Sequence, residues 1–116
     1  MQSGKVSSER LLFHMGDKYS WEILKAINEG EKSALELSRS LGIPQATVYR
    51  KIKSLQNDGL IELVKIVINL SGNEEKFYKT YLEQITVSLK DGKTSLKVKF
   101  RDEEDKFVRL WKRLSE

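Results

Sequence analysis

The amino-acid sequence predicts an α+β fold: a three-helix core closed by a β-hairpin, followed by a second β-hairpin and a terminal α-helix. Three observations carry that prediction. Residues 33–60 alternate helix-starting and helix-ending signals around apolar stripes of helical spacing. From Gly59 the period changes to extended, β-branched segments broken by turn residues. From Asp102 a helical period returns. At 116 residues, 39% of them hydrophobic, the chain is one domain with an appended element and has a modest core.

Residues 1–7 read as a flexible tail. Ser7 or Ser8 can cap a short helix whose apolar residues are Leu11, Leu12 and Met15. Gly16 breaks it, and Asp17 can cap the next helix. His14, the only histidine, reads as an ordinary exposed or packed side chain rather than a ligand. Trp21, Ile23, Leu24 and Ile27 give residues 19–29 a broad apolar face ending at Gly30, and Glu29, Glu31 and Lys32 read as a loop.

Ser33 is a helix N-cap, and Glu36 three residues later completes a capping box. Leu37 and Leu41 share a face of the helix over residues 34–41. Gly42 sits where a helix ends with positive φ, Ile43 can plug the corner, and Pro44 suits the first turn of a helix over residues 44–57. In that helix Val48, Ile52 and Leu55 recur at i, i+4, i+7 as a core stripe together with Leu24, Ile27, Leu37 and Leu41. At 100° per residue the opposite side carries Ala46, Arg50, Lys53 and Asn57, flanked by Gln45, Tyr49 and Ser54.

No acidic residue lies between Leu37 and Asn57, whereas Arg39, Arg50, Lys51 and Lys53 are basic. A cationic outer face with small and amide side chains at its start suits the major groove of DNA. Gln45, Ala46, Tyr49 and Arg50 can reach base edges, and Thr47, Lys51, Lys53 and Arg39 can hold phosphates.

Residues 60–70 (LIELVKIVINL) read as a strand, Ser71-Gly72-Asn73 as a turn and residues 76–82 as the return strand. A hairpin directly after a recognition helix is a wing. Lys76 and Lys79 suit phosphate contacts, while Glu74 and Glu75 would be repelled by them. Residues 83–100 form the second hairpin about Asp91-Gly92, with Ile85, Val87, Leu89, Leu96, Val98 and Phe100 on one face and Lys97, Lys99 and Arg101 on the other. Asp102 caps the final helix, whose stripe is Phe107, Leu110, Trp111 and Leu114. That stripe can cover the second hairpin or, joined by Leu11, Leu12 and Met15, a second subunit. The division expected is a winged domain over residues 8–82 and a dimerisation element over 83–116.

Residues 33–61 (SALELSRSLGIPQATVYRKIKSLQNDGLI) resemble the helix-turn-helix of small archaeal and bacterial winged-helix transcription regulators, the broad ArsR-like and MarR-like group. The resemblance spans about residues 19–81. It rests on Leu37-Ser38, Leu41-Gly42, the Thr47-Val48 recognition start, and Leu55 through Gly59-Leu60. Ser38 stands for the usual alanine and Pro44 for the usual serine. It implies double-stranded DNA binding as a homodimer, with the recognition helix in the major groove. Some ArsR-like proteins sense metals through Cys and His clusters; this chain has no cysteine and one histidine, so that property is not carried over.

The remaining classes fare poorly. One histidine, no cysteine and no Gly-rich phosphate loop leave little for an enzyme, and no cofactor or metal site is expected. No apolar run approaches the ~20 residues of a membrane span, and the N-terminus lacks a signal-peptide core, so the cytoplasm, at the nucleoid, is the expected compartment. The alternative is a winged-helix module that docks another protein of the transcription or replication machinery.

Overall fold

A computed structural model of the chain describes residues 6–101. These divide into two units, one up to Thr80 and one from Tyr81 onward. The stripe Phe107, Leu110, Trp111 and Leu114 lies outside the described residues.

The first unit comprises α1 (Ser8–Gly16), α2 (Lys18–Glu29), β1 (Lys32–Ser33), α3 (Ala34–Leu41), α4 (Gln45–Asn57), β2 (Glu62–Ile68) and β3 (Glu74–Lys79). Ser7 caps α1 by accepting from the Arg10 amide, and Asp17 caps α2 by accepting from the Ser20 amide. Ile23, Leu24 and Ile27 of α2, Leu37 of α3 and Val48, Ile52 and Leu55 of α4 are all buried. Each large side chain so removed from water contributes about 1.5–3 kcal/mol. Leu41, expected in this core, is only half-buried, as the last residue of α3 before the turn at Gly42.

The capping box on α3 is present in both directions: the Ser33 amide donates to Glu36 Oε1 at 3.0 Å, and the Glu36 amide donates to Ser33 Oγ at 3.1 Å. Gly42 ends α3 in the left-handed region, with φ 68°. Ser38, the residue that departs from the usual alanine, donates from its Oγ to the Ile43 carbonyl and ties the turn. Pro44 precedes α4 as its N-cap instead of occupying its first turn. At the far end the Leu60 amide donates to the Leu55 carbonyl and the Gly59 amide to that of Gln56. With Gly59 at φ 78°, this is a Schellman ending, and it turns the chain straight into the hairpin.

Lys32, expected in a loop, belongs to β1, which pairs antiparallel with β3 through Lys32–Tyr78 and Ser33–Phe77. The result is a three-stranded sheet of order β1-β3-β2. Both wing strands are displaced from the expected ranges. β2 starts at Glu62, after the buried Leu60 and Ile61, and β3 starts at Glu74 and ends at Lys79. The buried Thr80 hydroxyl donates to the Leu60 carbonyl at 2.7 Å and closes the base of the wing.

The second unit is a hairpin of β4 (Leu82–Lys90) and β5 (Lys93–Phe100). Asp91 (φ 54°) and Gly92 (φ 74°) both take positive φ, as a type I′ turn requires. Register pairs Ile85 with Val98 and Val87 with Leu96, which puts the apolar residues on one face.

Candidate nucleic-acid interface

Helix α4 has three faces. Val48, Ile52 and Leu55 point into the core. Ala46, Tyr49, Arg50, Lys53 and Asn57 are exposed together, with Gln45 at the start of the helix. Neither Arg50 nor Lys53 has an ion-pair partner among the described residues. Arg39, at the end of α3, is exposed as well, and Thr47 is half-buried.

The third face is a polar seam that sequence reasoning missed. Lys51, Ser54 and Asp58 follow at i, i+3, i+7, and all three bind the α1–α2 corner. Lys51 Nζ lies 3.1 Å from Asp17 Oδ2 and its side chain is only 16% exposed, so this lysine, expected on phosphate, is engaged inside the protein. Asp58 Oδ2 accepts from Arg10 Nε at 3.0 Å and lies 2.6 Å from Nε2 of the fully buried His14. Arg10 also reaches Ser54 Oγ at 3.4 Å, and its guanidinium lies 4.5 Å above the Phe13 ring centroid. His14 Nδ1 is buried with no hydrogen-bond partner among the described residues. The proton of a neutral ring therefore belongs on Nε2, where Asp58 can accept it.

This environment sets the acidity of both carboxyls. The Ser20 amide and Lys51 hold Asp17 below its ordinary value against a smaller opposing effect of burial. Burial alone would raise Asp58, but the hydrogen bonds from His14 and Arg10 outweigh it, and the net shift is downward. Burial and the neighbouring Tyr49 push the Tyr78 hydroxyl upward.

The wing is less suited to phosphate than its lysines imply. Lys76 is exposed, while Lys79 is half-buried and engaged. Glu75 is no loose carboxylate at a tip: its Oε2 accepts from the Ser33 hydroxyl at 2.6 Å, beside the N-terminus of α3. Lys65 of β2 lies 3.4 Å from Glu31 and 4.9 Å above the Phe77 ring. A cleft of about 390 Å³ separates the first turns of α3 and α4 from the wing turn, and Gln45, Tyr49, Asn69, Asn73, Glu74 and Lys76 line it.

Of the apolar residues assigned to dimerisation, Leu11 is fully buried in its own domain and cannot face a second subunit. Three apolar residues in succession (Leu11, Leu12, Phe13) obscure the helix phase, and it is Leu12 (40%) and Phe13 (48%) that are exposed. Met15 is half-buried.

Helix, turn, second helix and wing define the fold: a winged helix-turn-helix. Residues 15–64 match the family model described as "Helix-turn-helix domain". The chain is similar to HlyU from Vibrio cholerae N16961 in its reduced form, at 26% identity over 63% of this chain and 70% of that one, with a TM-score of 0.54. A second HlyU structure agrees at 26% identity, 63% and 73% coverage and a TM-score of 0.52. NolR from Sinorhizobium fredii, at 17% identity, 69% and 81% coverage and a TM-score of 0.50, shares the fold. No curated protein matches the sequence. No helix among the described residues is long and apolar enough to cross a membrane.

Proposed function

We propose that the chain is a transcription regulator that binds duplex DNA sequence-specifically as a homodimer, with α4 in the major groove. The observation that carries this is the outer face of α4, where Gln45, Tyr49, Arg50 and Lys53 are all exposed and the two cations have no ion-pair partner among the described residues. Gln45, Ala46, Tyr49 and Arg50 read base edges, while Lys53 and Arg39 hold phosphate. Thr47 adds a backbone contact at the helix start, and Lys76 is the wing's available cation.

On a site selected from a random DNA pool, Arg50→Ala is expected to cost about 1–3 kcal/mol at one preferred base and relax specificity there. Lys53→Ala weakens all duplexes alike and lowers the salt slope by about one. Mobility shifts at two salt concentrations measure both effects. Unchanged binding in both variants would mean that α4 is not the reader.

Two recognition helices about 34 Å apart read successive major grooves, and a lone module buries little DNA for high selectivity. Exposed Leu12 and Phe13 on α1, with the apolar pattern at Phe107, Leu110, Trp111 and Leu114, supply the self-association surface in this reading. Trp111→Glu combined with Leu114→Glu is expected to give a folded monomer that binds DNA weakly. Sedimentation showing a wild-type monomer at tens of micromolar contradicts the dimer.

One observation favours the alternative, a protein-docking module. The wing exposes Ile66 (48%), Ile68 (62%) and all of Leu70, side chains that give a phosphate nothing. Under that reading the α4 variants bind DNA as poorly as the parent, while Ile68→Asp abolishes capture of a partner.

A further inference from the structure

We propose that the cationic face of the β4–β5 hairpin is a second phosphate-binding surface for duplex DNA, an inference that rests on the reading of α4 as a DNA reader. Register places Lys97 opposite Thr86, Lys99 opposite Gln84 and Lys90 opposite Lys93. The face therefore presents cations interleaved with neutral hydrogen-bonding groups, and every one of them is exposed. Lys90, Lys93 and Lys97 have no ion-pair partner among the described residues, and only Lys99 meets a carboxylate, Glu83 at 3.9 Å.

Charge is concentrated here. Residues 81–101 hold five cations against two carboxylates, whereas residues 1–80 hold twelve against ten. A 21-residue hairpin thus carries a larger excess than the whole of the preceding domain. Lysine on an edge strand blunts unwanted pairing, and a face with so little acid is at the same time attractive to a polyanion.

The spacing also fits. Alternate residues of a strand advance about 6.8 Å, close to the axial rise of two phosphates on one DNA strand at ~3.4 Å each. Lys97 and Lys99 have that separation, and Lys93 is two such steps from Lys97. Only Thr80 and Tyr81 separate β3 from β4, so a hairpin joined to a DNA-bound domain meets the same duplex at high effective concentration. No fixed docking of the hairpin is needed for this.

The test combines Lys93→Gln, Lys97→Gln and Lys99→Gln in the full chain, with binding to random duplex and to the selected site followed across a salt series. Each phosphate contact adds about 0.9 to the slope of log affinity against log salt. The triple variant is expected to lose about two to three units of slope and to weaken on both duplexes by the same factor, with base preferences intact. Glu83→Gln, which releases Lys99, is expected to steepen the slope by up to about one unit. A wild-type slope in both variants overturns the proposal. Unaltered duplex binding together with lost binding to phosphatidylserine vesicles overturns it too, and assigns the face to a membrane surface. Failure of the α4 reading registers separately, as an Arg50→Ala variant with unchanged base preferences.

Discussion

Leu55→Ala is expected to destabilise the helix-turn-helix unit by roughly 2–5 kcal/mol, as loss of a fully buried leucine leaves a cavity its neighbours fill only in part. Leu55 does more than fill space. Its carbonyl accepts the Leu60 amide that ends α4, and its side chain packs where helix gives way to wing. Small domains have about 5–15 kcal/mol in all, so the variant stands near the limit of folding. Gln56→Ala, one residue along and exposed, is the control and should stay within about 0.5 kcal/mol. Ser54 would be a poor control, because it is half-buried and accepts from Arg10. Equal denaturation midpoints for the Leu55 and Gln56 variants would contradict the helix phase.

Asp58→Ala is expected to cost about 1–3 kcal/mol at neutral pH, since it strips the buried His14 Nε2 of its acceptor and releases Arg10. The pH dependence has a defined sign. The folded-state pKa of Asp58 lies below its ordinary 3.8, so its contribution is complete above that value and is lost as pH falls through the folded value. Asp17 behaves the same way. The parent protein should therefore lose stability steeply in acid below about pH 3.8, and Asp58→Asn should flatten that limb. An acid limb unchanged by the substitution would show that the His14–Asp58–Arg10 group does not hold α1 to α4 in solution.

The helix-turn-helix was legible because its determinants are local. Ser33 and Glu36 are three residues apart, Gly42 is required by backbone geometry, and the stripe Val48, Ile52, Leu55 repeats within two turns. The outer face of α4 followed from the same periodicity. What stayed hidden depends on residues far apart in sequence. The seam joins Arg10 and His14 to Asp58 across more than forty residues, and only its regular spacing on α4 could have hinted at it. Two-residue β1 has no pattern of its own and exists only because β3 pairs with it. In α1, nine residues long, adjacent apolar side chains could not say whether Leu11 or Leu12 faced inward. The bond from Ser33 to Glu75 stayed hidden for a related reason, because the two residues lie 42 positions apart.

That last bond has a consequence for where an anion can sit. A helix N-terminus with free amides is a natural seat for a phosphate. Here the start of α3 is already taken by two carboxylates of the protein, Glu36 and Glu75. A phosphate approaching it meets negative charge. Under the reading proposed above, the backbone of a duplex is thereby turned away from the start of α3 and towards the exposed cations Arg39 and Lys53.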